Sequence, residues 1–164
     1  MDQELLILSS ELGELLKNQR LSIAVSESCT GGLLSHVLTA VSGSSTYFIG
    51  GIVAYSNPIK EKFLGVKSET LLNFGAVSSQ TAQEMAEGIR HRFQTDIGLS
   101  TTGIAGPTGG TSEKPVGLVW IGISTPLGTT TIECYFNGNR EEVQYSTVRE
   151  ILSRVIADLT SDHE

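Results

Sequence analysis

Helix-period and strand-period segments alternate along this chain, and that alternation restricts it to an α/β architecture. Leu5, Leu8, Leu12, Leu15 and Leu16 recur at three- and four-residue spacing, which predicts a helix over residues 3–19. LSIAVS (21–26) reads as a short buried strand, and a helix follows over about 33–40. FIGGIVAY (48–55) reads as the next strand; its Gly50-Gly51 pair signals a bulge or the close approach of another segment. Asn57-Pro58 opens a short helix, with Asn57 as cap and Pro58 at the first helical position. A helical piece covers 68–74, and Ser78 or Ser79 caps a long helix ending near Phe93, with Ala82, Met85, Ala86, Ile89 and Phe93 inward. DIGLST (96–101) is a third strand. Residues 116–125 and 129–136 pair around Pro126-Leu127-Gly128, and a helix over 140–161 carries Val148, Ile151, Leu152, Val155, Ile156 and Leu159 on one stripe. Crossover helices impose parallel pairs and the late hairpin adds an antiparallel one. The expectation is a three-layer α/β/α sandwich with a mixed, mostly parallel sheet, in one domain over residues 1–164.

Charge and cysteine usage narrow the function classes. The formal charge is −7 and no basic stripe appears, which argues against a nucleic-acid partner. A small anionic ligand remains compatible, because a pocket needs only a few local donors. The two cysteines, Cys29 and Cys134, match no zinc or CxxC spacing and read as reduced thiols of a cytoplasmic protein. The acidic, amphipathic start MDQELLILSSELGELL is not a signal peptide, and no apolar run approaches the roughly 18 residues of a membrane span. No metal motif or cofactor fingerprint occurs, so neither a metal nor a cofactor is expected. His36, His91 and His163 read as surface residues, which leaves lysine as the candidate base.

The segment SGSSTYFIGGIVAYSNPIK (42–60) holds the most compact candidate chemistry. Lys60 falls in the first turn of a helix, where the dipole disfavours its charge, and burial would act in the same direction. A neutral lysine can deprotonate a serine hydroxyl. Local physics alone does not choose among Ser42, Ser44 and Ser45, and most lysines are simply exposed. Tyr55 ends the strand beside the lysine. In ESCTGG, Thr30 is placed to cap the next helix, with Gly31 and Gly32 in its first turn, where an anion could approach backbone N–H groups. The loop TGIAGPTGG (102–110) offers a second set of unhindered N–H groups but is neither a Walker A loop nor a GxGxxG fingerprint. Arg140 follows Asn137-Gly138-Asn139 and could reach an anion.

Seven segments in order, SESCTGG (26–32), GSS (43–45), YSNPIK (55–60), GAVS (75–78), TGIAGPTGG (102–110), EKPVGLVW (113–120) and FNGNR (136–140), resemble the CinA C-terminal domain family. Its enzymatically active members are the nicotinamide-nucleotide amidases called PncC. The resemblance covers nearly the whole chain and implies the stand-alone form, without the separate N-terminal domain of larger CinA proteins. It implies the α/β/α sandwich and hydrolysis of the carboxamide of nicotinamide mononucleotide to nicotinic acid mononucleotide and ammonia. It further implies Ser45 as nucleophile, Lys60 as base and Tyr55 in the active site, with Thr102 and Arg140 at the substrate. Ser28, Thr30, Gly31, Gly106 and Gly109 are the further substrate-binding candidates, on the two glycine-rich loops. The implied partner is a phosphorylated pyridine nucleotide, with no nucleic acid or membrane; a homo-oligomer, most often a dimer, is the prior. The alternative is a non-catalytic nucleotide-binding protein of the competence/damage-inducible kind.

Overall fold

A computed structural model describes residues 1–161. The elements follow in the order α1 (Gln3–Gln19), β1 (Ile23–Glu27), α2 (Leu33–Thr39), β2 (Phe48–Val53), α3 (Asn57–Leu64), α4 (Ser68–Phe74), α5 (Ser79–Phe93), β3 (Ile97–Gly103), β4 (Leu118–Thr125), β5 (Gly128–Tyr135) and α6 (Arg140–Ser161). A short 3-10 turn, Ser44–Thr46, precedes β2. The expected surface position of His163 lies outside the described residues, whereas His36 and His91 are exposed on their helices.

The five strands form one mixed sheet in the order β2-β1-β3-β4-β5. β1 pairs in parallel with both β2 and β3, and the β3–β4 and β4–β5 pairs are antiparallel. Two apolar cores separate the layers. Leu5, Leu12 and Leu16 of α1, Val37 and Leu38 of α2, and Val148, Ile151, Leu152 and Val155 of α6 pack with Val25, Leu99 and Ile121 on one face. Met85 and Ile89 of α5 pack with Ala24, Ala54, Leu64 and Val66 on the other. The α/β/α sandwich thus follows from strands buried on both faces: every residue of β1 is buried.

The glycine pair of β2 serves close packing. A Cβ at Gly51 would lie 2.7 Å from Ser35 Oγ and 2.9 Å from a methyl of Val25. The register slips by one residue between Phe48 and Gly50, so a bulge stands just before the pair. Two caps differ from expectation. α2 starts at Gly32 (φ 104°) without a side-chain cap, and Thr30 bonds elsewhere. α3 is preceded by Ser56 as the capping position rather than Asn57, with Pro58 in its first turn.

The strand order matters for function. From β1 the chain crosses to β2 on one side and later returns to β3 on the other. The crevice beyond the carboxyl ends of β1 and β3 is therefore a topological switch point, the usual ligand position in open α/β sheets.

Candidate active site

Ser28 is the first residue after β1, and its N–H donates to Thr101 O of β3 at 2.9 Å. It stands at the switch-point crevice. Lys60 enters the same place from α3. Its Nζ donates to Ser28 Oγ at 3.1 Å and to Tyr55 O at 3.0 Å. The lysine is 1% exposed although it is charged in its ordinary state. Burial holds the ammonium below the usual lysine range, and a Cys29 thiolate would oppose that shift. Burial also pushes the Cys29 thiol up to about 12, so the opposing charge is absent near neutral pH. The net effect leaves more of Lys60 in the neutral, proton-accepting form near neutral pH than a solvated lysine has.

These groups line a cleft of about 350 Å³ together with Cys29, Tyr55, Asn57, Thr102, Gly106, Gly109 and Arg140. That volume is at the small-ligand end of the range for binding clefts. Arg140, the first residue of α6, donates from Nη1 to Gly106 O at 2.7 Å and from Nη2 to the Tyr55 hydroxyl at 2.9 Å. It joins the glycine-rich loop to the lysine segment across the cleft mouth. Tyr55 is 59% exposed, so its ring offers a face at the rim rather than core packing. Thr102 is buried and donates to Ala76 O at 2.7 Å, which ties the end of β3 to the connector between α4 and α5. Among the described residues no group of three His, Cys, Asp or Glu side chains is placed to hold a metal ion.

The structure does not bring Ser45 to Lys60. Ser45 is exposed in the 3-10 turn that enters β2, at the end of the sheet where Ile23 N bonds to Tyr47 O. Lys60 follows the other end of β2, beside Ser28. A six-residue strand separates the two ends by roughly 20 Å. The expected Ser45–Lys60 pair is therefore replaced by Ser28–Lys60. The physical reason is that the extended β2 strand lies between them and holds its entry and exit at opposite ends of the sheet, while its parallel pairing with β1 sets its exit beside Ser28.

Thr30 and Gly31 are also not on the cleft wall. The Thr30 hydroxyl donates to Glu27 Oε1 at 2.7 Å and pairs with the Thr101 hydroxyl at 2.8 Å. Glu27 is fully buried, and its carboxylate also accepts from Leu34 N at 2.8 Å, Ser35 N at 2.9 Å and Ser35 Oγ at 2.7 Å. The positive end of α2, expected to receive a ligand anion, is thus filled by the protein's own carboxylate. Sequence reasoning did not single out Glu27. The available signal was an acidic side chain on a buried strand, which requires several donors to be tolerated.

The comparisons with known proteins agree with this architecture. The CinA C-terminal domain model matches residues 6–159. A CinA-like protein of Cyanothece is 52% identical over 133 residues, which is 81% of this chain and 32% of that protein. The competence/damage inducible protein CihA of Agrobacterium tumefaciens has a crystal structure that superposes with a TM-score of 0.93 at 40% identity, covering 98% of both chains. A CinA superfamily protein of Escherichia coli superposes with a TM-score of 0.90 at 32% identity, over 95% of this chain and 91% of that one. The chain spans about a third of the length of the curated relatives it matches. With a family match over nearly all its length, the chain belongs to the CinA C-terminal domain family.

Proposed function

We propose that the chain hydrolyses the carboxamide of nicotinamide mononucleotide to nicotinic acid mononucleotide and ammonia, in pyridine nucleotide recycling, with Ser28 as nucleophile and Lys60 as its base. The observation that carries this reading is the 3.1 Å hydrogen bond between a buried lysine and a serine at the switch-point crevice. Neutral Lys60 takes the proton as Ser28 Oγ attacks the carboxamide carbon. The resulting ammonium then gives that proton to the departing nitrogen, releasing ammonia and leaving an ester on Ser28. Water attacks the ester with Lys60 again as base; the acid departs and the proton returns to Ser28 Oγ.

The rest of the cleft suits an anionic nucleotide. Arg140 is the cation at the mouth, bonded to the Gly106 carbonyl of the glycine-rich loop, whose Gly106 and Gly109 line the same cleft. Because Glu27 occupies the start of α2, the phosphate is assigned to this Arg140 side. Tyr55 presents a ring face against which a pyridinium can lie. The test is ammonia release from nicotinamide mononucleotide by the purified protein, with the unphosphorylated riboside as comparison. Release from the nucleotide and much less from the riboside supports the reading. Binding of the nucleotide without ammonia release contradicts it and favours a non-catalytic nucleotide-binding role.

A further inference from the structure

Arg140 and Gln144 lie four residues apart on α6 and so share one face, a turn apart. Arg140 reaches Tyr55 and Gly106. Gln144 reaches the opposite wall: its Nε2 donates to Cys29 O at 2.9 Å, across 115 positions of sequence. Cys29 follows Ser28 directly, and its carbonyl belongs to the turn closed by Gly31 N to Ser28 O at 3.1 Å.

That turn is held from the sheet at Ser28 N and through Thr30 to Glu27. It then passes through two glycines in left-handed conformation, Gly31 (φ 58°) and Gly32 (φ 104°). Glycine restrains its own backbone least, so the Cys29–Thr30 peptide depends on outside contacts for its orientation. Gln144 is half-buried and supplies such a contact from a separate element.

We infer that Gln144 is a positioning residue for the Ser28 turn, fixing the Cys29–Thr30 peptide so that its carbonyl faces α6. The peptide is planar and trans, so the Thr30 N–H is then fixed on the side away from α6. This inference rests on Ser28 being the nucleophile. Backbone N–H groups beside an attacking serine stabilise charge that develops only in the transition state, so a loosened turn lowers kcat more than it raises KM.

The test compares wild type, Gln144→Glu and Gln144→Met by their rate of labelling with a fluorophosphonate. In that reaction Ser28 Oγ attacks phosphorus, fluoride leaves, and Lys60 takes the serine proton. Gln144→Glu keeps the length but sets a carboxylate against the Cys29 carbonyl; Gln144→Met keeps the bulk without a donor. Both variants are expected to label at Ser28 roughly 10- to 100-fold more slowly, with kcat for the nucleotide falling alike and KM within about twofold. Wild-type labelling rates in either folded variant, or an effect confined to KM, overturn the inference and leave the Ser28 assignment standing. A wild-type protein that does not label at Ser28 overturns the nucleophile assignment and this inference together.

Discussion

Lys60 Nζ donates to Ser28 Oγ across 32 positions of sequence, while Ser45, only 15 positions from the lysine, sits at the opposite end of β2. The pairing follows from the parallel β1–β2 arrangement, which puts the exits of both strands at the same end of the sheet. A hydroxyl and a buried amine meet there because two separate loops leave the sheet side by side.

The depressed proton affinity of Lys60 sets a pH dependence. Below its folded value the lysine is charged and cannot act as base, so kcat/KM rises about tenfold per pH unit and levels once the amine is neutral. Lys60→Arg is expected to remove this limb and nearly all activity, because arginine stays protonated. The stability linkage has the same direction. Between the lowered folded value and the ordinary 10.5, the unfolded chain holds a proton that the folded chain lacks, so stability rises with pH across that window. Urea unfolding midpoints followed upward in pH should show this rise in wild type and lose it in Lys60→Met.

Cys29 lines the cleft but should be inert. Its thiol stands at about 12 through burial, so its thiolate near neutral pH is about a thousandfold scarcer than that of a free cysteine. Cys134, at about 11, is similarly unreactive. Iodoacetamide at pH 7.5 is expected to leave ammonia release unchanged over a period that fully alkylates a free thiol. Rapid inactivation with alkylation of Cys29 would point to a thiol in the chemistry.

Glu27 is expected to act on stability. Its carboxylate satisfies two backbone N–H groups of α2 and two hydroxyls in a fully buried place. Glu27→Ala leaves buried donors without their acceptor, each costing about 1–3 kcal/mol where water cannot enter. A loss of about 2–4 kcal/mol, or roughly 5–15 °C in Tm for a chain of this size, is the expected outcome of thermal unfolding. A change of under about 1 kcal/mol would mean that α2 does not depend on this carboxylate.

The elements were legible wherever apolar spacing was strong. The leucines of α1 place a helix over 3–19, and the observed bounds are Gln3–Gln19, because that helix buries one stripe against the sheet. The line of β2 was also legible, but its direction relative to β1 is a property of the crossover and not of its own residues. Assigning the nucleophile to Ser45 placed a base and a hydroxyl together that the sheet holds apart. Thr30 shows the same limit at shorter range. Its type suits a helix cap, yet its hydroxyl donates its hydrogen bond to the buried Glu27 carboxylate, and Gly32 fills the capping position. Gln144 gave no local signal, since its partner lies 115 residues earlier.

We assign Ser28, and not Ser45, as the hydroxyl activated by Lys60. Ammonia release from nicotinamide mononucleotide by wild type, Ser28→Ala and Ser45→Ala, measured side by side, tests it most directly. The expected result is turnover reduced at least about a thousandfold in Ser28→Ala and unchanged within about twofold in Ser45→Ala. Retained turnover in Ser28→Ala, with loss in Ser45→Ala, would contradict it.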